Sequence, residues 1–126
     1  MRALVIIILL SILVVGLSLL TLNYLQSTAG KLIEEITIAQ KQIEAGNWPL
    51  AQEQLVSFSR SWNKAHQKWT IFLNHQEIDQ IDLALARLLS FARACDPNQS
   101  LAELASLKLL LSHIPEKETV SLPNIF

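Results

Sequence analysis

The pattern of apolar and polar positions divides the chain into an uncharged N-terminal run followed by amphipathic segments. Residues 3–22 carry no charge, and fifteen of these twenty residues are Leu, Ile or Val. A helix of twenty residues is roughly 30 Å long, about the thickness of the hydrocarbon core of a bilayer. The run therefore predicts a membrane anchor over residues 1–23.

The same run has to be distinguished from a secretory signal peptide, which has an apolar stretch of about 7 to 15 residues and a small-x-small cleavage site. This run is longer, and the small residues at 27–30 form no clean Ala-x-Ala. The pattern favours an uncleaved signal-anchor, with a cleaved signal as the alternative. Arg2 and the terminal amine, set against Lys31 on the other side, favour a cytoplasmic N-terminus and an extracytoplasmic C-terminal domain.

Two helices are predicted after the anchor, because their apolar residues recur at alternating spacings of three and four. The first covers about 24–45 and continues from the anchor, and the second covers about 48–73, with Gly46 and Asn47 between them as terminus and cap. The apolar positions of the first are Leu25, Ala29, Leu32, Ile36, Ala39 and Ile43. Those of the second are Ala51, Leu55, Phe58, Trp62, Ala65, Trp69 and Phe72.

A third helix is predicted over about 76–95, with its apolar series one residue out of phase with the second helix. That slip, with Asn74 and Glu77 as a capping pair, indicates a turn near residues 73–76, and one long bent helix is the alternative. The apolar positions of the third helix are Ile78, Ile81, Leu85, Leu88, Ala92 and Cys95. The series includes Cys95, so this lone cysteine is predicted to be buried.

A fourth helix is predicted over about 100–114, with Ser100 and Glu103 as its capping box and Pro115 as the signal that ends it. Its apolar positions are Leu101, Leu104, Leu107, Leu111 and Ile114. Residues 116–126 are expected to form an apolar tail that packs back on the domain. No segment has the pattern of a strand, and the short connections imply antiparallel neighbours. The predicted fold class is therefore all-α, an N-terminal transmembrane helix continuing into an antiparallel three- to four-helix bundle.

Composition adds limits on function. The residues after the anchor carry nine Lys or Arg and eleven Asp or Glu, which does not suggest nucleic-acid binding. One cysteine cannot form an intrachain disulfide or a cysteine metal cluster. No nucleophile is paired locally with a base, so no catalytic residue, enzyme activity or cofactor is predicted.

Potential metal ligands are densest at the start of the third helix, where His75, Glu77, Asp79 and Asp82 occur close together. Acidic residues are favoured there by the helix dipole, and His75 and Asp82 are nearly two turns apart. A metal site would need ligands from elsewhere, so none is predicted.

Contacts with a partner are the remaining chemical role for polar and aromatic residues. Arg60, Lys64 and Lys68 recur every four residues, and they face solvent, pair with the acidic residues of the third helix, or meet an acidic partner or lipid headgroups. Trp62 and Trp69 are interpreted as core, whereas Trp48 either closes a corner or anchors a partner. The candidate partner-contact residues are Trp48, Arg60, Lys64, Lys68, His75, Glu77 and Asp79.

The whole chain resembles the bacterial domain of unknown function family numbered 4363. The residues that carry the resemblance are the basic start and apolar span, segment 21–25, Asn47, Trp48, Trp62, Trp69, and segments 75–79, 85–88, 113–118 and 124–126. The resemblance implies a small bacterial membrane protein with a single anchor. It supplies no catalytic or ligand residues.

The leading hypothesis for function is a non-enzymatic single-pass membrane protein whose extracytoplasmic bundle binds or scaffolds a partner protein at the membrane. Confinement to the membrane raises the effective concentration of such a domain for a membrane neighbour. The alternative is a ligand- or metal-responsive sensor. Self-association through residues 25–43 is a further hypothesis, since an apolar helical face can pair with its own copy.

Overall fold

Four helices account for the chain in a computed structural model that describes the backbone of residues 1–125 and the side chains of residues 1–114. They are α1 (Arg2–Glu44), α2 (Trp48–Phe72), α3 (His75–Arg93) and α4 (Pro97–Ile125). Each helix packs against its neighbours in the order α1, α2, α3, α4 and back to α1. With short connections between them, this arrangement is an antiparallel four-helix bundle.

The helix α1 runs without a break from the apolar run into the bundle, as the sequence predicted. Its 43 residues correspond to roughly 65 Å. By length and composition α1 is able to cross a membrane, and its most apolar window is 0% buried. Further along, the six predicted apolar positions from Leu25 to Ile43 are all buried in the bundle. In the folded chain this face is therefore occupied by the bundle itself, and self-association of the protein stays a prediction.

The core is formed by the faces that the spacing of apolar residues predicted. Trp62, Trp69 and Phe58 are its largest fully buried side chains, so the interpretation of both tryptophans as core residues is confirmed. Trp62 and Trp69 pack edge to face with ring centroids 5.4 Å apart, an arrangement that aromatic rings prefer. Phe72 is an exception to the prediction, because it is 43% exposed at the last residue of α2.

The turn between α2 and α3 confirms the predicted break and excludes a single bent helix. Leu73 is extended, and Asn74 caps α3 by accepting a hydrogen bond from the backbone N–H of Gln76 at 3.0 Å. Asn47 caps α2 in the same way, through Leu50 N at 3.4 Å. Side-chain oxygens at these caps satisfy backbone donors that have no partner within the helix.

The connections at the other end of the bundle are two Schellman turns. After α1, Gly46 has φ 73°, and the N–H of Asn47 bonds to the carbonyl of Gln42. After α3, Cys95 takes the equivalent position with φ 54°, and the N–H of Asp96 bonds to the carbonyl of Phe91. The left-handed residue that closes such a turn is usually glycine, since other residues meet a steric cost there.

This second turn overturns the prediction that Cys95 is buried, because the thiol is exposed. The helix α3 ends at Arg93. Cys95 continues the apolar spacing of that helix but lies beyond its end. The predicted capping box is also wrong. Asp96 caps α4 by accepting from Gln99 N at 3.1 Å, whereas Ser100 is fully buried and Glu103 pairs with Arg87 at 3.0 Å.

The length of α4 differs from the prediction as well. The helix begins at Pro97, three residues earlier than expected, and it passes Pro115 to end at Ile125. Proline inside a helix costs about 3 kcal/mol because it lacks an N–H and crowds the preceding turn. Leu107, Leu111 and Ile114 are buried in the turns before Pro115, so packing holds the helix up to that residue, and the proline does not end it there. The predicted packing of the tail concerns side chains that lie outside the described residues.

Candidate functional site

A hydrogen-bonded cluster joins α2 to α3 near the middle of the bundle. The indole Nε1 of Trp62 donates to Oδ1 of Asp82 at 2.7 Å, and Nε2 of His66 lies 3.1 Å from Oδ2 of the same carboxylate. Trp62 is 1% exposed, whereas the side chains of His66 and Asp82 are 35% and 43% exposed. An indole N–H is a donor only, and a buried one usually finds an acceptor, as that of Trp62 does here. Both carboxylate oxygens are thus engaged within the bundle, which favours a structural role.

Sequence reasoning missed this cluster, because His66 is isolated along the chain and Asp82 was grouped with His75. A signal was nevertheless present. His66 lies eight residues before Asn74 and Asp82 lies eight residues after it. In an antiparallel hairpin, residues at equal distances from the turn come to the same level.

The acidic cluster predicted at the start of α3 does not converge on one point. His75 and Asp79 are exposed, Glu77 is half-buried in the first turn, and Asp82 faces α2. Among the residues whose side chains are described, there is no group of three or more His, Cys, Asp or Glu able to hold a metal ion. Two of the candidate partner contacts, His75 and Asp79, are thus available at the surface.

The three cations of α2 lie in different environments. Arg60 and Lys64 are exposed. The ammonium of Lys68 lies 5.9 Å from the ring centroid of Tyr24 on α1, within the range of a cation–π contact. In the described part of the chain, no salt bridge joins these cations to Asp79 or Asp82. Trp48 is partly buried against the core at the start of α2.

A groove of about 410 Å³ lies between α2 and α3, toward the end of the bundle far from the apolar run. Its lining combines apolar and polar side chains: Gln52, Leu55, Val56, Ser59, Arg60, Asn63, Leu89, Ala92 and Arg93. Of these, α2 and α3 each contribute an exposed arginine, Arg60 and Arg93. Neither guanidinium takes part in a salt bridge with another described residue.

The groove follows from how α2 and α3 pack. These two helices pack less closely than the other neighbouring pairs of the bundle. The distance between packed helices depends on the side chains at the contact. The two indoles of α2 fill the core side of this interface, while Ser59 and Asn63 on the outer side are too short to close it. Exposed Val56 therefore lies in an open channel rather than against a neighbouring helix.

A second groove, of about 480 Å³, lies between α1 and α4. Polar side chains of the bundle cross it, since Lys108 Nζ donates to Gln40 Oε1 at 2.6 Å and Gln40 Nε2 donates to Glu44 Oε1 at 2.8 Å. The ammonium of Lys108 in this groove therefore already has a hydrogen-bond acceptor within the bundle. The α2–α3 groove, with two arginines that have no carboxylate partner among the described residues, is the better candidate for binding.

Comparison with known proteins bears on the family and not on the site. No curated protein and no solved structure matches the chain. A family model described as "Domain of unknown function (DUF4363)" matches residues 19–125, which includes all of α2, α3 and α4 and the bundle portion of α1. The match covers most of the chain, and the chain therefore belongs to this family of domains of unknown function.

Proposed function

We propose that this protein is a non-enzymatic membrane-anchored scaffold. In this proposal α1 spans the membrane with its N-terminus in the cytoplasm, and the bundle outside the cytoplasm binds an acidic segment of a protein in the same membrane. The observation that carries the proposal is the unbroken course of α1 from a fully exposed apolar run into the core of the bundle. A helix shared in this way holds a binding surface at a fixed height above the bilayer.

The burial pattern along α1 supports an anchor over a cleaved signal. Large apolar side chains from Leu4 to Leu20 are exposed, which is costly in water and favourable in lipid. Leu25 and Ala29, in contrast, are buried in the core. Cleavage near the small residues at 27–30 would remove Leu25 from the packed bundle and leave a cavity. Retention of the segment is thus consistent with the integrity of the fold.

The α2–α3 groove supports an acidic partner segment. Arginine presents a planar fork of donors that matches a carboxylate, and Arg60 and Arg93 offer two such forks beside the apolar side chain of Val56. A groove between two helices suits an amphipathic helix, whose apolar face fills the channel while its carboxylates meet the rim. Tethering both proteins in one membrane raises the effective concentration of each for the other.

Photo-crosslinking in membranes of the native host tests this proposal. A photoreactive residue replaces Val56 in the full-length chain, and crosslinks are compared between the parent and Arg60→Glu/Arg93→Glu. The matched control is Lys31→Glu/Lys41→Glu, which makes the same change in charge at exposed positions of α1. We expect one specific product that disappears with the arginine reversal and persists in the control. The absence of any specific product, or a product indifferent to the arginine reversal, contradicts the proposal.

The sensor alternative has less support from the geometry. Trp62 and Trp69 are packed in the core rather than along an open apolar surface. His75 and Asp79 at the start of α3 are exposed and not joined by further ligands among the described residues. Binding of a protein segment in the groove is therefore the function that we advance.

A further inference from the structure

The corner between α2 and α3 lies at the level where the apolar run of α1 ends. The rings of Phe72 and Tyr24 have centroids 6.3 Å apart, and Lys68 lies over the same tyrosine. Tyr24 follows Leu22, the last residue of the apolar run, by two positions, which is about 3 Å along a helix. The last turn of α2 is thus fixed beside the boundary between the run and the bundle.

This corner exposes apolar side chains that the core leaves out. Ile71 is 77% exposed and Phe72 is 43% exposed, although their neighbours Trp69 and Leu73 are buried. Two residues at this corner, Tyr24 and Lys68, are of types found at the surface of a bilayer. Aromatic rings such as that of Tyr24 favour the interface, and a lysine such as Lys68 places its stem along apolar surface and its ammonium among headgroups.

We propose that Ile71 and Phe72 insert into the interfacial region of the bilayer that α1 spans, which gives the bundle a second point of contact with the membrane. The inference rests on the proposed anchor. The occupant of this exposed patch is lipid, because Phe72 packs on Tyr24, two residues beyond the apolar run that the proposed anchor places in the membrane. Two contacts restrict the tilt of the bundle and hold the α2–α3 groove away from the membrane, facing neighbouring proteins.

Fluorescence quenching by brominated lipids tests this second membrane contact in the full-length chain. Single cysteines replace Ile71, Val56 or Leu13 in a Cys95→Ala background and carry an environment-sensitive fluorophore. Val56 is the matched control, since it is an exposed apolar residue of α2 about 22 Å from Ile71 along the helix. Leu13 reports on the anchor itself. The vesicles contain phosphatidylcholine and phosphatidylglycerol, with bromine placed either near the headgroup or near the chain end.

We expect shallow bromine to quench the label at Ile71, deep bromine to quench the label at Leu13, and neither to quench the label at Val56. Quenching at Leu13 without quenching at Ile71 contradicts the second membrane contact and supports the proposed anchor. Quenching at both Ile71 and Val56 means that the bundle lies flat on the surface, which also overturns the second membrane contact. The absence of quenching at Leu13 contradicts both the proposed anchor and the second membrane contact.

Discussion

Trp62 donates its buried indole N–H to Asp82 across the interface of α2 and α3, with 2.7 Å between Nε1 and Oδ1. This bond joins the largest side chain of the core to a carboxylate that remains 43% exposed. Because His66 binds the other oxygen, one aspartate fixes two side chains of α2, four residues apart. The bond therefore ties α2 to α3 in the hairpin that also forms the groove.

Replacement of Asp82 tests how much this bond contributes to the stability of the bundle. Asp82→Ala leaves the indole N–H of Trp62 buried without an acceptor, which costs about 1–3 kcal/mol of unfolding free energy. The matched control is Asp79→Ala, which removes an exposed carboxylate from the same helix and should change stability by less than about 0.5 kcal/mol. Thermal unfolding of the full-length chain in mild detergent, followed by circular dichroism, measures both. Equal melting temperatures for the two variants would show that the bond adds nothing.

The two Schellman turns predict a pair of opposite effects. Cys95→Gly removes the Cβ from a left-handed residue and should stabilise the bundle by about 1 kcal/mol. Gly46→Ala places a Cβ in the same conformation and should destabilise it by a similar amount. A Cβ at Gly46 meets nothing within 4 Å, so the loss would come from the backbone alone. The same unfolding measurement applies, and a loss of stability in Cys95→Gly would contradict the assignment of the turn.

Two leucines of α4 test the position of the core. Leu107 is 0% exposed, and its replacement by alanine should cost about 2–5 kcal/mol because a cavity remains. Leu109 is 56% exposed on the same helix, and Leu109→Ala should have an effect of less than about 0.5 kcal/mol. Urea unfolding followed by tryptophan fluorescence separates the two. A larger loss for Leu109→Ala would mean that α4 packs with another face.

Zinc gives a test of the sensor alternative. The described side chains place no set of three ligands together, so Zn²⁺ at a concentration well above a micromolar dissociation constant should leave the melting temperature unchanged. A metal that binds the folded state at 100 times its dissociation constant stabilises that state by about 2.7 kcal/mol. A rise in the melting temperature of several degrees that His75→Ala abolishes would support the hypothesis of a metal sensor.

The spacing of apolar residues was sufficient to predict the core of α1, since all six of its predicted positions are buried. Spacing was insufficient at helix ends, where capping decides. Cys95 continues the apolar series of α3 but belongs to a Schellman turn, and Asp96 rather than Ser100 provides the cap of α4. Local rules also placed the end of α4 at Pro115, whereas the helix continues to Ile125.

The candidate site was less accessible to sequence reasoning than the fold. Arg60 was identified as a candidate contact, whereas Arg93 was not, because the two meet only when α2 and α3 pack side by side. Similarly, the pairing of His66 with Asp82 can be predicted only when the position of the turn between α2 and α3 is known. Contacts between helices depend on the register of the hairpin, which no single periodic pattern specifies.

A distance measured along α1 tests whether the anchor and the bundle share one continuous helix. Spin labels at Leu13→Cys in the apolar run and Ile38→Cys, an exposed position of α1 in the bundle, are introduced together into the Cys95→Ala chain in nanodiscs. A straight helix places these positions about 38 Å apart along its axis. We predict a single narrow distribution near that distance by double electron–electron resonance. A broad distribution, or one centred at a much shorter distance, would show that the anchor and the bundle are separate bodies and would contradict the account.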